Sequence, residues 1–173
     1  MDIIKGNIFV FGNNIDTDQI YPGRYLDLTD HDEIATHAME GADPSFASTV
    51  KPGDIIVAGT NFGCGSSREH AVITLKNAGV GAVVARSFAR IFFRNAINQG
   101  LVVVEVPNLD TLNVNTGDKG ILDVVKGNFT ANGQTVFFQP LPEHLLSIIE
   151  AGGIFSLFRE KGVKAFGEKA HSF

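Results

Sequence analysis

The chain has 173 residues, of which 44% are hydrophobic and 19% charged, and its formal net charge is −5. This length and composition predict one globular domain with a hydrophobic core and exclude a disordered chain. The acidic balance disfavours a nucleic-acid partner or a membrane surface, and no apolar run approaches the ~18 residues of a membrane span. Because the first residues form no signal peptide, we expect a cytoplasmic protein.

Cys64 is the single cysteine of the chain. One thiol excludes an internal disulfide. It also excludes a zinc site or an iron–sulfur cluster built from this chain's thiolates alone, because such sites need about three or four. The histidines show no metal-ligand spacing. We therefore predict that the chain itself holds no metal and no cofactor.

The first part of the chain predicts two strands and a helix, joined by irregular segments. The strands are expected at about residues 6–12 and 54–58, where apolar residues run together. A helix is expected at about 30–40, because Asp30 is a good capping residue in front of it. The other segments are predicted as loops or irregular chain: the polar triplet Asp16-Thr17-Asp18, residues 21–28 and residues 43–53.

Residues 63–70, Gly-Cys-Gly-Ser-Ser-Arg-Glu-His, are the most informative stretch of the sequence. They follow the second strand and lead into a helical pattern at about 66–78, so they predict a glycine-rich turn from strand to helix. Glycines let a backbone pass close to a ligand, and a helix N-terminus attracts an anion. Arg68 has the side chain best shaped to clamp a carboxylate. The turn therefore predicts an anion site with a hydroxyl beside it.

A purely structural interpretation of the same turn stands beside this one. Ser66 and Glu69 have the spacing of a capping box, with Ser66 as the N-cap. The two interpretations are compatible, because a capping box would fix the direction of the ligand-facing groups. The turn lacks the lysine of a P-loop and the spacing of a hydrolase nucleophile elbow. His70 lies four residues after Ser66, on roughly the same helix face, but nothing identifies a third member of a catalytic triad.

The next region alternates between helices and strands. Strands at 80–85 and 101–105 flank a helix at 87–98, and both strands are continuous apolar runs, as strands buried on both faces are. This βαβαβ portion predicts parallel pairing with right-handed crossovers. Three arginines recur every four residues there and predict a solvated or structural stripe: Arg86, Arg90 and Arg94.

After Pro107 the pattern changes to short β-prone pieces, which predict antiparallel hairpins. Asn132-Gly133 is the clearest turn signal among them. A last helix is expected from Pro142 towards Glu150. The β-prone pieces lie near 111–114, 119–125 and 134–138. Residues 154–160 are candidates to extend the last helix. The end of the chain beyond about residue 165 is expected to fray. Together the elements predict a single α/β domain with a parallel portion and antiparallel hairpins.

Three ordered motifs resemble a known family. Residues 61–71, Asn-Phe-Gly-Cys-Gly-Ser-Ser-Arg-Glu-His-Ala, are similar to the signature of the aconitase superfamily's swivelling domain, and residues 14–26 and 85–101 provide two further matches. More narrowly, the chain resembles the separate small subunits of 3-isopropylmalate dehydratase and their homoaconitase-like relatives. The resemblance implies a three-layer β/β/α swivelling domain over residues 1–165, with 166–173 as a frayed tail.

The resemblance also implies a hydro-lyase that is active only with a larger subunit. Dehydration needs a base for the proton next to a carboxylate and a Lewis acid for the departing hydroxide. This chain offers a base and an anion clamp, and the family's larger subunit carries a [4Fe–4S] cluster. By motif position, Ser66 is implied as the base, and Ser67 and Arg68 as ligands of a substrate carboxylate. The residues implied to orient the site are Thr17, Asp18, Gly63 and Gly65.

The substrate's variable group is implied to meet the segment Arg24, Tyr25, Leu26, Asp27 and Leu28. In the family, isopropylmalate enzymes place an apolar residue after Tyr-Leu, and homoaconitate enzymes place arginine. Asp27 fits neither pattern, but its charge would repel a third carboxylate. We therefore expect 2- and 3-isopropylmalate, as in leucine biosynthesis. Arg24 leaves a route to a tricarboxylate if it turns inward.

Two alternatives stay open from the sequence. One is the small subunit of a related hydro-lyase that acts on methylmalates or homoaconitate. The other belongs to a different class, a non-catalytic module in which the same turn holds a phosphate or carboxylate without chemistry. A catalytic serine would separate this second alternative from the enzyme, because a binding module needs no base.

Overall fold

A seven-stranded mixed sheet carries the other elements of the chain. The computed structural model describes residues 1–160, so the predicted tail at 166–173 lies outside the described residues. The strands lie in the order β4-β3-β2-β1-β5-β6-β7. They are β1 Ile4–Val10, β2 Ile55–Ala58, β3 Ala82–Ala85, β4 Val102–Glu105, β5 Lys119–Asp123, β6 Asn128–Ala131 and β7 Gln134–Phe137.

Strand β1 joins a parallel half of the sheet to an antiparallel half. Its residues 8–10 pair in parallel with β2, whereas its residues 4–7 pair antiparallel with β5. Strands β2, β3 and β4 continue the parallel half and are buried apart from Glu105. Strands β5, β6 and β7 form the antiparallel half. The predicted single α/β domain, with its parallel portion and antiparallel hairpins, is confirmed.

Short helices and turns connect these strands. Within residues 1–160, no helix is both long and apolar enough to cross a membrane. The α-helices are α1 Thr17–Ile20, α2 His31–Ala35, α3 Phe46–Thr49, α4 Glu69–Ala78, α5 Arg90–Asn98 and α6 Glu143–Glu150, and 3-10 turns cover Gly23–Tyr25 and Leu109–Leu112. Residues 154–160 are also helical, after a break at Gly152-Gly153.

Several elements differ from the sequence-based prediction. The helix predicted from residue 66 begins at Glu69, and the one predicted from residue 87 begins at Arg90. The helix predicted over 30–40 is regular only to Ala35. The strand predicted near 111–114 is wrong, because a 3-10 turn covers Leu109–Leu112. Helix α3 and strand β6 were not predicted.

Two local signals worked as predicted. Asp30 caps α2, because its carboxylate accepts hydrogen bonds from the amides of Asp32 and Glu33 at 2.8 and 3.2 Å. Asn132 and Gly133 connect β6 to β7 with φ values of 53° and 73°. Two successive positive φ values are those of the type I′ turn that suits the twist of a hairpin.

An aromatic cluster lies beneath the glycine-rich turn. Phe62, Phe88 and Phe92 are buried, and the Phe62 ring meets the other two edge-on, at centroid distances of 6.0 and 5.3 Å. Gly63 lies against this cluster with φ +84°, and a Cβ added to it would overlap the Phe92 side chain. Both the backbone conformation and the packing therefore require glycine at this position.

Replacing Gly63 with alanine is expected to destabilise the protein by about 3 kcal/mol, the sum of left-handed backbone strain and overpacking against Phe92. Urea unfolding measures the change. Gly117→Ala is the matched control, because Gly117 has φ +99° but open space around it. That variant is expected to lose only about 1–2 kcal/mol. Equal losses in the two variants would contradict the role of the Phe92 contact.

Candidate functional site

Three loops meet at the carboxyl ends of the neighbouring parallel strands β1, β2 and β3. The loops after β1 and β2 are joined by a parallel bridge between Asp16 and Cys64, and the loops after β2 and β3 by one between Phe62 and Phe88. In parallel sheets, ligands bind at this edge. The topology therefore brings the glycine-rich turn, the polar triplet and the start of α5 together.

Thr17 holds the glycine-rich turn in place. Its amide donates a hydrogen bond to the Cys64 carbonyl at 2.9 Å, and its hydroxyl donates to the Ser66 carbonyl at 2.8 Å. The Gly63 amide donates to the Ile15 carbonyl at 2.8 Å. Thr17 is only 4% exposed, and hydrogen bonds shielded from water are electrostatically stronger. The backbone of Ser66 is therefore fixed from the neighbouring loop, while Ser66 itself is exposed.

The predicted capping box at Ser66 and Glu69 is wrong. Helix α4 begins at Glu69, and Arg68 occupies the N-cap position without a side-chain cap. The three residues before Glu69 are not helical, because the turn is bonded to the loop after β1 instead. His70 lies in the first turn of α4 and Ser66 lies outside the helix, so the two do not share a helix face.

A capping box does occur in the polar triplet, which was predicted as a loop. Asp16 accepts a hydrogen bond from the Gln19 amide at 2.8 Å, and the Gln19 side chain accepts one from the Asp16 amide at 3.0 Å. This reciprocal pair starts α1 and fixes the first turn that contains Thr17 and Asp18. Thr17 and Asp18, two of the four residues implied to orient the site, are therefore on a capped helix.

Arg68 and Asp18 form the charged pair of the site. Nη1 of Arg68 donates to Asp18 Oδ1 at 2.9 Å and to the Tyr21 carbonyl at 3.1 Å. Asp18 Oδ1 also accepts from the Gly23 amide at 2.8 Å. The hydrogen bond from Arg68, followed by that from Gly23, holds the pKa of Asp18 below its ordinary value of 3.8.

Within residues 1–160, Nη2 of Arg68 has no hydrogen-bond partner. Both hydrogen bonds described above use Nη1. Nη2 lies towards Gly23, where an added Cβ would be 3.3 Å from it. The side chain of Arg68 is 18% exposed, so it is held in one direction without being closed off from solvent.

A cavity of about 340 Å³ opens beside the turn, within the size range of small-molecule sites. Its wall includes Ser67 and Arg68 from the turn, and Arg90 and Ile91 from the start of α5. The rest of the wall is formed by Thr17, Gly63, Gly65, Ala89, Phe92 and Asn95. Of the predicted site residues, the structure thus gathers Thr17, Gly63, Gly65, Ser67 and Arg68 around one space.

Residues 24–28 lie outside the wall of this cavity. Arg24 pairs with Glu40 at 3.2 Å, is 66% exposed, and lies 4.7 Å from the centre of the Tyr25 ring. The Tyr25 ring also stacks on the His37 ring, with 3.5 Å between centroids. Both Arg24 and Tyr25 are therefore engaged in contacts within the chain.

Sequence reasoning did not assign to the site the five wall residues from α5 and its N-cap, namely Ala89, Arg90, Ile91, Phe92 and Asn95. A topological signal could have found them. They lie on the helix after β3, and β3 neighbours β2 in a parallel sheet, so the start of that helix must lie beside the turn after β2. The arginine stripe divides: Arg90 lies in the wall, while Arg86 pairs with Asp110 at 3.1 Å.

The aconitase C-terminal domain family matches residues 10–109, which contain all three loops of the site. The chain belongs to this family. A small subunit of 3-isopropylmalate dehydratase from Methanopyrus kandleri is 51% identical to it, over 95% of this chain and 98% of the relative. The predicted resemblance to 3-isopropylmalate dehydratase small subunits is therefore confirmed.

Two further relatives, one compared by sequence and one by structure, resemble this chain over most of its length. A methanogen homoaconitase small subunit from Methanothermobacter thermautotrophicus is 52% identical, over 88% of this chain and 88% of the relative. A crystal structure of 3-isopropylmalate dehydratase from Methanocaldococcus jannaschii superposes with a TM-score of 0.88, at 43% identity, covering 98% of this chain and 99% of that one. The described residues therefore have the fold of this family.

Asp18→Asn is expected to destabilise this aconitase-family domain near neutral pH but not in acid. The pKa of Asp18 is lower in the folded chain than in the unfolded chain. Its contribution is therefore present above pH 3.8 and is lost as the pH falls through the folded-state pKa. Because the Asp18 side chain is 67% exposed, we expect a small effect that weakens further in salt.

Urea unfolding of both chains, from about pH 7 down to about pH 2, measures this difference. Asp27→Asn is the control, because it also removes one negative charge from an exposed aspartate. A difference between wild type and Asp18→Asn that stayed constant across the pH range would contradict the charged pair.

Proposed function

We propose that this chain is the small subunit of a hydro-lyase that interconverts 2-isopropylmalate and 3-isopropylmalate by dehydration and rehydration, in leucine biosynthesis. The observation that carries the proposal is the turn of Ser66, Ser67 and Arg68, fixed by Thr17 and Asp18 beside a cavity. This arrangement offers a hydroxyl and a carboxylate clamp at adjacent positions. A non-catalytic module is not favoured, because the likeness to enzyme subunits extends over nearly the whole chain.

Ser66 is the base of the proposed reaction. Its alkoxide takes the proton from the carbon next to a substrate carboxylate and returns it on rehydration. Among the described residues no hydrogen bond joins Ser66 to His70, whose Nε2 is bonded to the Leu28 carbonyl at 3.0 Å. The alkoxide must therefore be stabilised by the positive charge of Arg68 and by the amides of the turn.

Arg68 and Ser67 bind the substrate carboxylate. Both residues lie in the wall of the cavity, and Nη2 is the terminal nitrogen of Arg68 that is not bonded to Asp18. Asp18 fixes the guanidinium before substrate arrives, so little reorganisation is needed on binding. Asp18 itself faces solvent, where water screens its repulsion of an anionic substrate.

The Lewis acid of the reaction belongs to a larger partner subunit that carries a [4Fe–4S] cluster. The donors of this chain do not fit such a cluster, because the sequence has one cysteine. Among residues 1–160, no group of three or more His, Cys, Asp and Glu side chains is arranged to hold a metal ion. When bound, the cluster polarises the leaving hydroxyl. The complex works in the cytoplasm on a small carboxylic acid, without nucleic acid or membrane.

Ser66→Ala in the assembled complex is expected to lower kcat by a factor of about 10² to 10⁴, because the alanine cannot accept the substrate proton. Association with the large subunit and KM should change little. Steady-state kinetics under anaerobic conditions measure both constants. Activity within a few-fold of wild type would show that Ser66 is not the base.

Ser67→Ala is the matched control for this test. It removes a neighbouring exposed hydroxyl that is proposed to bind carboxylate, so KM is expected to rise more than kcat falls. The small subunit alone is expected to show no turnover. Turnover by the chain without its partner would contradict the assignment of the Lewis acid to the large subunit.

The substrate's alkyl group meets Leu26 and Leu28, and Asp27 excludes a third carboxylate. Leu26 is 39% exposed and Leu28 is half-buried, so both offer apolar surface to a branched alkyl group. Arg24, the residue that would favour a tricarboxylate, is paired with Glu40. A methyl-substituted malate is the second candidate substrate. Its methyl group can contact the same apolar surface but covers less of it than an isopropyl group does.

Asp27→Arg is expected to raise kcat/KM for homocitrate relative to isopropylmalate by about 10-fold or more, because a charged hydrogen bond replaces a repulsion. A panel of isopropylmalate, methylmalates, homocitrate and citrate measures the ratios for the assembled enzyme. Asp27→Asn removes the repulsion alone and should move the ratio in the same direction by less. A wild-type preference for homocitrate or citrate would overturn the argument from charge.

A further inference from the structure

Two stacked rings link the segment 24–28 to helix α4. The rings of Tyr21 and His70 lie 5.3 Å apart between centroids, with 20° between their planes. Tyr21 is fully buried at the end of α1, and His70 is in the first turn of α4, two residues after Arg68. The pair therefore joins residues that are 49 positions apart in the sequence, directly behind the charged pair of the site.

Each ring holds one carbonyl of the segment. The Tyr21 hydroxyl donates to the Tyr25 carbonyl at 2.6 Å, and His70 Nε2 contacts the Leu28 carbonyl at 3.0 Å. Because a carbonyl oxygen only accepts, Nε2 must carry the proton in that bond. Burial raises the pKa of the Tyr21 phenol, which keeps it a donor. The segment is thus held at both of its ends while Leu26 and Asp27 between them stay exposed.

The same pair is tied to the anion clamp. Nη1 of Arg68 donates to the carbonyl of Tyr21 at 3.1 Å as well as to Asp18. The Tyr21 carbonyl therefore accepts a hydrogen bond from Arg68, while the Tyr21 hydroxyl donates one to the segment 24–28. A displacement of the two rings would change the distance between the carboxylate clamp and the residues that meet the alkyl group.

We propose that Tyr21 and His70 are positioning residues that set the distance between the Ser66–Arg68 turn and the segment 24–28, and thereby determine selectivity for the substrate's alkyl group. The inference rests on the proposed function, because it takes Leu26 and Leu28 as the surface for that group. Neither side chain lies in the cavity wall, and neither has a part in the proposed proton transfer. Their effect should therefore fall on KM and on the ratio between substrates rather than on proton transfer.

Three variants separate the ring contact from the hydrogen bonds. His70→Phe keeps a ring against Tyr21 but removes the donor to Leu28. His70→Gln keeps a donor near the position of Nε2 but removes the ring, and it serves as the conservative rescue. Tyr21→Phe removes the donor to the Tyr25 carbonyl and keeps the ring. Each variant is assembled with the large subunit and assayed with 2-isopropylmalate and with the smaller 2-methylmalate.

Loss of one of these hydrogen bonds is expected to shift the kcat/KM ratio of the two substrates about 3- to 10-fold towards the smaller one. KM for isopropylmalate should rise while kcat stays within about 2-fold, and His70→Gln should recover most of the ratio. The double variant His70→Phe, Tyr21→Phe should shift the ratio by less than the product of the single shifts, because both residues hold the same segment.

Amide hydrogen exchange on the small subunit tests the positioning role without an activity assay. The amides of Leu26 and Leu28 donate to the nearby carbonyls of Gly23 and Tyr25, at 3.2 and 3.1 Å. In His70→Phe and Tyr21→Phe these amides should lose protection while those of β2 and β3 keep it. Unchanged protection in both variants would overturn the inference.

The outcomes distinguish this inference from the proposed function. A wild-type complex without activity on either substrate would overturn the proposed function. An active wild type, with a substrate ratio that does not move in His70→Phe or Tyr21→Phe, would overturn the positioning role alone. A fall in kcat equal to the fall in kcat/KM would also overturn it, because that pattern belongs to a residue of the chemical step.

Discussion

The hydrogen bonds from Thr17 to the glycine-rich turn are the contacts on which the candidate site depends. The turn has no cap of its own, since α4 starts only at Glu69. Its carbonyls at Cys64 and Ser66 are bonded instead by the amide and hydroxyl of a buried threonine from the preceding loop. The position of the serine is therefore decided by the parallel pairing of β1 and β2, which sets how far apart the two loops lie.

The charged pair follows from the same arrangement. Helix α1 is started by the Asp16–Gln19 capping box, and one residue after Thr17 it presents Asp18 to Arg68. An arginine without a partner at the mouth of a cavity would sample many rotamers, and a ligand that bound it would have to offset the loss of this conformational entropy. Pairing with Asp18 removes that freedom and still leaves Nη2 on the side of Gly23. Asp18 thus neutralises part of the positive charge of the site, and it fixes the direction of the Arg68 guanidinium.

Much of the fold follows from local sequence, and most of the site does not. The continuous apolar runs of β2 and β3 and the Asn132-Gly133 turn carry their own signals, and the structure has them where expected. The capping pattern at Ser66 was misleading, because a tertiary hydrogen bond from Thr17 competes with the local cap. The 3-10 turn at Leu109–Leu112 likewise replaces a predicted strand, and its two leucines are buried. Propensity is overridden in both places by contacts from elsewhere in the chain.

The motif residues of the site could be named from the sequence, but their connections could not. The bonds from Arg68 to Asp18 and from His70 to Leu28 span 50 and 42 residues. The sequence has no local pattern that pairs such residues. Their meeting follows from the order of strands around β1, which only the assembled sheet determines.

The site combines a rigid part with a part whose side chains are free to vary. The turn is bonded through backbone atoms and a buried threonine, so a change in an exposed side chain would not move it. The segment 24–28 is likewise held through its carbonyls, at Tyr25 and Leu28, while Leu26 and Asp27 project into solvent. Side chains there can be exchanged without breaking the bonds that place the segment. Such a construction allows the proposed base and the proposed carboxylate clamp to stay constant while the side chains proposed to meet the rest of the substrate change.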